Sequence, residues 1–155
     1  MTKRQLDDVD KKIMAWLSED ARISNRKIAT ELGITEGTVR GRIRRMEEDK
    51  LIQITAITNI DCIPNAMVSF IWIEVEKSSD IDTVAQALTK LARVGFVGKM
   101  VGRFDILAIT MVQDTVELSE FLHSTITVIP GVRRTDCTLG VDFIKQDYKL
   151  SCIVD

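Results

Sequence analysis

The 155 residues of this chain, 45% hydrophobic and 28% charged, are enough for one or two small globular cores and exclude a disordered polymer. A net charge of −2 excludes a surface suited throughout to a polyanion, so any contact with nucleic acid has to be concentrated in one region. Cys62, Cys137 and Cys152 are widely spaced and form no Cys-x-x-Cys pair, which suggests neither a disulfide framework nor a zinc site, and there is no apolar run of the ~18 residues that would suggest a membrane span. The expectation is a soluble, cytoplasmic protein.

Charge is unevenly distributed. Residues 1–50 hold 12 Lys/Arg against 10 Asp/Glu, and the remainder 9 against 13. Leu6, Val9, Ile13 and Leu17 recur at helical spacing, and Asp7, Asp8 and Asp10 suit a positive helix N-terminus, predicting a first helix over Asp8–Glu19. Ser24 can cap a second helix, with Ile23 and Ile28 as a hydrophobic staple, and Gly33 ends it. Thr35 repeats the device for a third helix, stapled by Ile34 and Val39. Two capped helices around a turn of about three residues, with a small Ala29 and a Gly33 in the turn, make a helix-turn-helix.

At 100° per residue Val39, Ile43 and Met46 share the inner face of the third helix. The outer face then presents Gly37, Gly41 and Arg44, flanked by Thr38, Arg40 and Arg45, inside a window from Gly37 to Met46 that contains no acid. With Thr35 and Glu36 at the helix start, these residues are the candidate DNA contacts. Two helical glycines cost about 1 kcal/mol each relative to Ala, and close approach of the backbone to a groove would explain them. A neighbouring helix on the glycines and a solvated arginine face is the alternative. Arg42 stands where the motif expects an apolar residue, implying a third helix rotated slightly.

Residues 52–65 alternate β-prone side chains and predict a β linker, closed by Pro64 and Asn65. Beyond it, strands are predicted at Met67–Glu76, Phe96–Val101, Phe104–Val112 and Val132–Ile144. One helix carries Ile81, Val84, Leu88 and Leu91, and another Leu118, Phe121, Leu122 and Ile126, the second opened by Asp114 and Glu117 as a capping box. Two such units in tandem imply a ferredoxin-like βαββαβ sheet with both helices on one side. The first strand is apolar on both faces, so the face without helices predicts homodimerisation. Gly102-Arg103-Phe104-Asp105 between the middle strands combines a glycine able to take positive φ with a carboxylate near exposed amides, as a hairpin turn also would. Arg134, Asp136 and Thr138 on the last strand suit a solvent edge equally well.

The order of these elements resembles the Lrp/AsnC, or feast/famine, family over essentially the whole chain. Leu6-Asp7-Asp8-Val9-Asp10 resembles the family's opening Leu-Asp-x-x-Asp, and Ala21-Arg22-Ile23-Ser24 is similar to the stretch before its second helix. Gly102-Arg103-Phe104-Asp105 matches its Gly-x-x-Asp turn, and Pro130-Gly131-Val132 the segment before its last strand. The resemblance implies an α+β protein with a winged helix-turn-helix over 1–51, the linker over 52–65 and a RAM-type domain over 66–155 for dimerisation and effector binding. It further implies a transcriptional regulator that binds double-stranded DNA, dimers assembling to octamers, and an amino acid or related metabolite held near Gly102, Phe104 and Asp105, with Thr135 and Thr138 as further candidates.

An enzyme would need a nucleophile, a proton shuttle or a cofactor cradle. The single histidine, His123, is expected at a surface or interface, and there is no phosphate loop and no cluster at metal-ligand spacing. No catalytic residue, metal or cofactor is therefore predicted. The rival reading is a siroheme-decarboxylase-like enzyme on an Lrp-like scaffold, which would call for several His and Arg residues in the sheet domain.

Overall fold

The computed structural model describes residues 6–144, which part into two compact units between Ile57 and Thr58. Cys152 and the outer ends of both expected domains, residues 1–5 and 145–155, lie outside the described residues.

The first unit holds α1 (Asp8–Glu19), α2 (Asn25–Leu32) and α3 (Glu36–Glu48). Each starts where a short polar side chain accepts a hydrogen bond from a backbone amide of the first turn: Asp7 from Asp10 N, Ser24 from Lys27 N and Thr35 from Thr38 N. Gly33 ends α2 at φ 65°, a left-handed conformation that favours glycine, and lets the chain turn sharply into α3. Ile13, Ile28, Ala29, Val39, Ile43 and Met46 are buried together, so the core lies where the three apolar stripes meet.

Helix α3 closes less comfortably. Lys50 takes φ 56° while its amide donates to Glu47 O at 3.0 Å and the Leu51 amide donates to Met46 O at 2.8 Å. This is the usual glycine-centred helix ending with a lysine at its left-handed position. Lys50→Gly is therefore expected to stabilise this unit by about 0.5–1 kcal/mol, the relief of strain exceeding the extra unfolded-state freedom. Thermal melting checks it, and an unchanged or lower midpoint would contradict it.

The expected β linker is not a strand: residues 52–59 run without regular structure into a 3-10 turn at Ile60–Cys62. β-prone side chains do not make a strand without a ladder partner, and this segment has none among the described residues. Ile54 and Ile57 are left exposed.

The second unit orders β1 (Met67–Val75), α4 (Ile81–Thr89), β2 (Val94–Lys99), β3 (Ile106–Val112), α5 (Thr115–Phe121) and β4 (Val132–Gly140). The sheet order is β2-β3-β1-β4 with every neighbouring pair antiparallel, the expected ferredoxin-like arrangement. Strand limits differ from expectation. β2 starts at Val94 because an irregularity between Val94 and Phe96 absorbs Gly95, β3 starts only at Ile106, and β4 stops at Gly140 where its pairing with Val68 ends.

Ile71, Ile73 and Val75 of β1 pack with Ile106 and Ala108 of β3 against Val84 and Leu88 of α4 and Phe121 of α5, so both helices cover one sheet face. After Phe121 the helix widens into a π turn, Leu122–Ile126, with Thr127 N donating to Leu122 O at 2.9 Å. The widened turn brings Ile126 into the same core as Phe121. Asp114 caps α5 as expected, accepting from Glu117 N, while Glu117 reaches one residue past the N-cap and accepts from Gln113 N.

The other sheet face is built from alternate residues: Phe96, then Leu107, Ile109 and Met111, then Phe70 and Trp72, then Asp136 and Thr138. Phe96 is 49% and Met111 44% exposed, so a broad apolar area stands open on the single chain.

Candidate DNA-reading face and effector turn

On α3 the buried Val39, Ile43 and Met46 fix which way the rest of the helix points. Thr35, Glu36, Gly37, Thr38, Arg40, Gly41, Arg44 and Arg45 are all exposed, as expected of a reading surface. A Cβ on Gly41 would meet nothing within 4 Å, and on Gly37 only Thr35 Oγ1 at 3.9 Å, so no helix among the described residues occupies the glycines. The backbone is bare there, which is what a close approach to a groove requires.

The arginines are not solvated singly. Arg40 pairs with Glu36 at 2.7 Å and Arg44 with Glu48 at 2.8 Å, each one helical turn away. Both arginine side chains remain more than 70% exposed, so these pairs are weak and exchangeable. The acid-free window hid them, because the partners lie just outside it.

Arg42 behaves differently, and its role was not legible in the charge pattern. Its Nη1 donates at 2.7 Å to both Asp7 Oδ2 and Asp10 Oδ1 of α1. Asp10 is 1% exposed and the Arg42 side chain 23%, so the pair lies at the edge of the core. The amide of Asp10 and then the Arg42 guanidinium hold the Asp7 carboxyl below the usual carboxylate range, while Asp7 and Asp10 raise Arg42 further. The two aspartates of the Leu-Asp-x-x-Asp opening thus cap α1 and grip α3. The expected slight rotation of α3 is unnecessary, because Arg42 takes the place of the missing apolar residue.

In the sheet unit the connection from β2 to β3 spans residues 100–105, with Met100 N donating to Asp105 O at 2.8 Å. Gly102 has φ 148° and no neighbour within 4 Å of a Cβ. Asp105 is committed to the fold: its amide donates to Ile73 O at 3.0 Å, and its Oδ2 accepts the Val75 amide at 2.9 Å. That amide lies two residues beyond Ile73, where the pairing of β1 with β3 ends. The carboxylate thus satisfies an amide left over where the β1–β3 ladder ends, a task that sequence could not reveal because it depends on a partner 30 residues away.

Phe104 packs on Trp72 with ring centroids 6.0 Å apart, and the Arg103 guanidinium lies 5.2 Å from the Phe104 ring centre. Thr138 sits opposite Phe70 on the helix-free face, on which Trp72 also lies, whereas Thr135 sits opposite Ile73 on the helix side. The two threonines therefore do not converge. Asp136, opposite Trp72, is closer to the turn's aromatic pair than either. Among the described residues no group of three or more His, Cys, Asp or Glu could hold a metal, and no helix is long and apolar enough to cross a membrane.

A tri-helical reader joined to a four-stranded α+β domain defines a helix-turn-helix regulator, and the comparisons place it further. The AsnC-type helix-turn-helix domain matches residues 6–47, and an AsnC-type C-terminal dimeric alpha+beta barrel domain matches residues 64–153. An uncharacterized HTH-type transcriptional regulator of Pyrococcus abyssi is 31% identical over 94% of this chain and 98% of its own length. The leucine response regulatory protein LrpA of Mycobacterium tuberculosis shares the fold at TM-score 0.82 and 24% identity, over 92% of this chain and 97% of its own. A Neisseria meningitidis transcriptional regulator, solved as a complex with L-Met, does so at TM-score 0.77 and 22%, over 94% and 96%. The chain belongs to the Lrp/AsnC family: it is a transcriptional regulator with a DNA-binding helix-turn-helix. The siroheme-decarboxylase-like alternative finds no support in these relatives.

Proposed function

We propose that the protein is a cytoplasmic, sequence-specific regulator that reads DNA with the outer face of α3. It acts as a homodimer that assembles to an octamer, and it responds to an amino acid or a closely related metabolite. The observation that carries the DNA reading is the bare Gly37–Gly41 strip of α3 edged by Arg40, Arg44 and Arg45, with Thr35, Glu36 and Thr38 at the helix start. Thr38 and Arg40 are assigned to base edges and Arg44 and Arg45 to phosphates. A genome-wide footprint tests this reading: discrete sites with a shared two-fold motif are expected, and uniform occupancy would oppose it.

The effector site is assigned to residues 100–105, where loop amides can receive a ligand carboxylate, with Gly102 leaving room and Phe104 forming a wall. Asp105 belongs to it as the residue that shapes the loop. Thr138 is the better placed of the two threonines, since Thr135 lies on the helix side. The L-Met complex of the Neisseria relative supports an amino acid as the ligand class.

Screening amino acids by thermal shift is expected to give at least one hit. Gly102→Thr should weaken that hit about tenfold or more by filling the open space. Unchanged binding would place the site elsewhere. Asp105→Ala is a poor probe, because it strands the Val75 amide at a cost of about 1–3 kcal/mol.

A further inference from the structure

We infer that Arg42 is a positioning residue for DNA recognition: by gripping Asp7 and Asp10 of α1, it fixes the rotation of α3 about its own axis and so aims the reading face. This rests on the assignment of α3 as the reader.

The apolar grip on α3 consists of Val39, Ile43 and Met46, which fall within about 60° of one another around the helix at 100° per residue. Such a contact is non-directional and tolerates a small roll of the helix with little loss of burial. Arg42 lies at the edge of that stripe, and its two 2.7 Å bonds to α1 are directional. A roll of about 20° would carry a group at the outer helix radius of about 5 Å through roughly 2 Å. Hydrogen bonds to base edges tolerate only a few tenths of an ångström. The tie therefore constrains the coordinate on which sequence reading depends and leaves Arg40, Arg44 and Arg45 outside it.

Removing Arg42 alone would take the guanidinium from a buried carboxylate, so the test removes both charges. Asp10→Leu with Arg42→Met replaces the pair by apolar side chains of similar volume, a change that folded proteins commonly accept. Binding is measured to a duplex selected by the natural chain from a random pool and to a scrambled duplex of equal length. The double variant is expected to melt near the natural midpoint and to bind the scrambled duplex equally well. Its preference for the selected duplex should fall about tenfold or more.

A preference within twofold of the natural one, in a folded variant, would overturn the inference, because a merely structural pair would leave that ratio alone. Arg42→Lys keeps the charge but is one bond shorter, and it serves should the double variant fail to fold. A loss of at least about threefold in the same ratio is expected, and an unchanged ratio overturns the inference equally. Arg44→Ala run in parallel separates the two failures: if it too leaves binding untouched, α3 is not the reader and the underlying assignment falls instead.

Discussion

Replacing Arg40 and Arg44 together by alanine is expected to lower affinity for a footprinted site by about 100-fold or more, with little change in melting. A specific base contact contributes about 1–3 kcal/mol, and a phosphate contact adds to it without regard to sequence. Both side chains are far out in solvent, and their pairings with Glu36 and Glu48 are single exposed i,i+4 bridges. Those bridges contribute only about 0.3–0.5 kcal/mol each, so the fold should barely register their loss. Fluorescence anisotropy with labelled duplexes measures the effect. Arg40→Ala alone should also relax base preference at one position, whereas Arg44→Ala should weaken all duplexes alike. A double variant that binds as the natural chain does would remove α3 from the interface.

A charge on the helix-free sheet face is expected to separate the dimer. Phe96 and Met111 are nearly half exposed on the single chain, so Phe96→Glu with Met111→Glu leaves the core of that unit, around Ile71, Ile106 and Leu88, undisturbed. In a two-fold interface every substitution occurs twice, and a carboxylate buried there without a partner costs several kcal/mol. Analytical ultracentrifugation should show a folded monomer at micromolar concentration where the natural chain is a dimer or larger. DNA affinity should fall with it, by 10²-fold or more, because two linked readers gain from effective concentration. A variant that remains dimeric would move the interface off this face.

Much of this architecture is legible in local chemistry. Asp7, Ser24, Thr35 and Asp114 announce helix starts because a short oxygen-bearing side chain has one good use there, and Gly33 marks the turn because the conformation excludes most other residues. The period-two apolar pattern on both faces of β1 makes a second sheet partner an economical expectation. What escapes local reading is whatever depends on a residue distant in the chain. Arg42 reads as one more member of a basic run until Asp10, 32 residues earlier, is found beneath it. Asp105 reads as a turn residue or a ligand contact until its carboxylate meets the Val75 amide. The linker misleads for the complementary reason: residues 52–59 have strand propensity but no ladder partner among the described residues.

The pairing of Arg40 with Glu36 and of Arg44 with Glu48 bears on how such a protein searches a genome. Helix α3 carries four arginines against three glutamates, and one of the arginines is spent inward on α1. On the proposed reading, the surface offered to DNA is close to electrically balanced rather than strongly cationic, and the glutamates would be brought up against the phosphates along with their partners. Indiscriminate attraction to the polyanion is correspondingly weak. Competing sites outnumber true ones by about a millionfold or more in a genome. A reader of this kind leaves few of its copies idle on the wrong sequences, and relies on fit at the right ones.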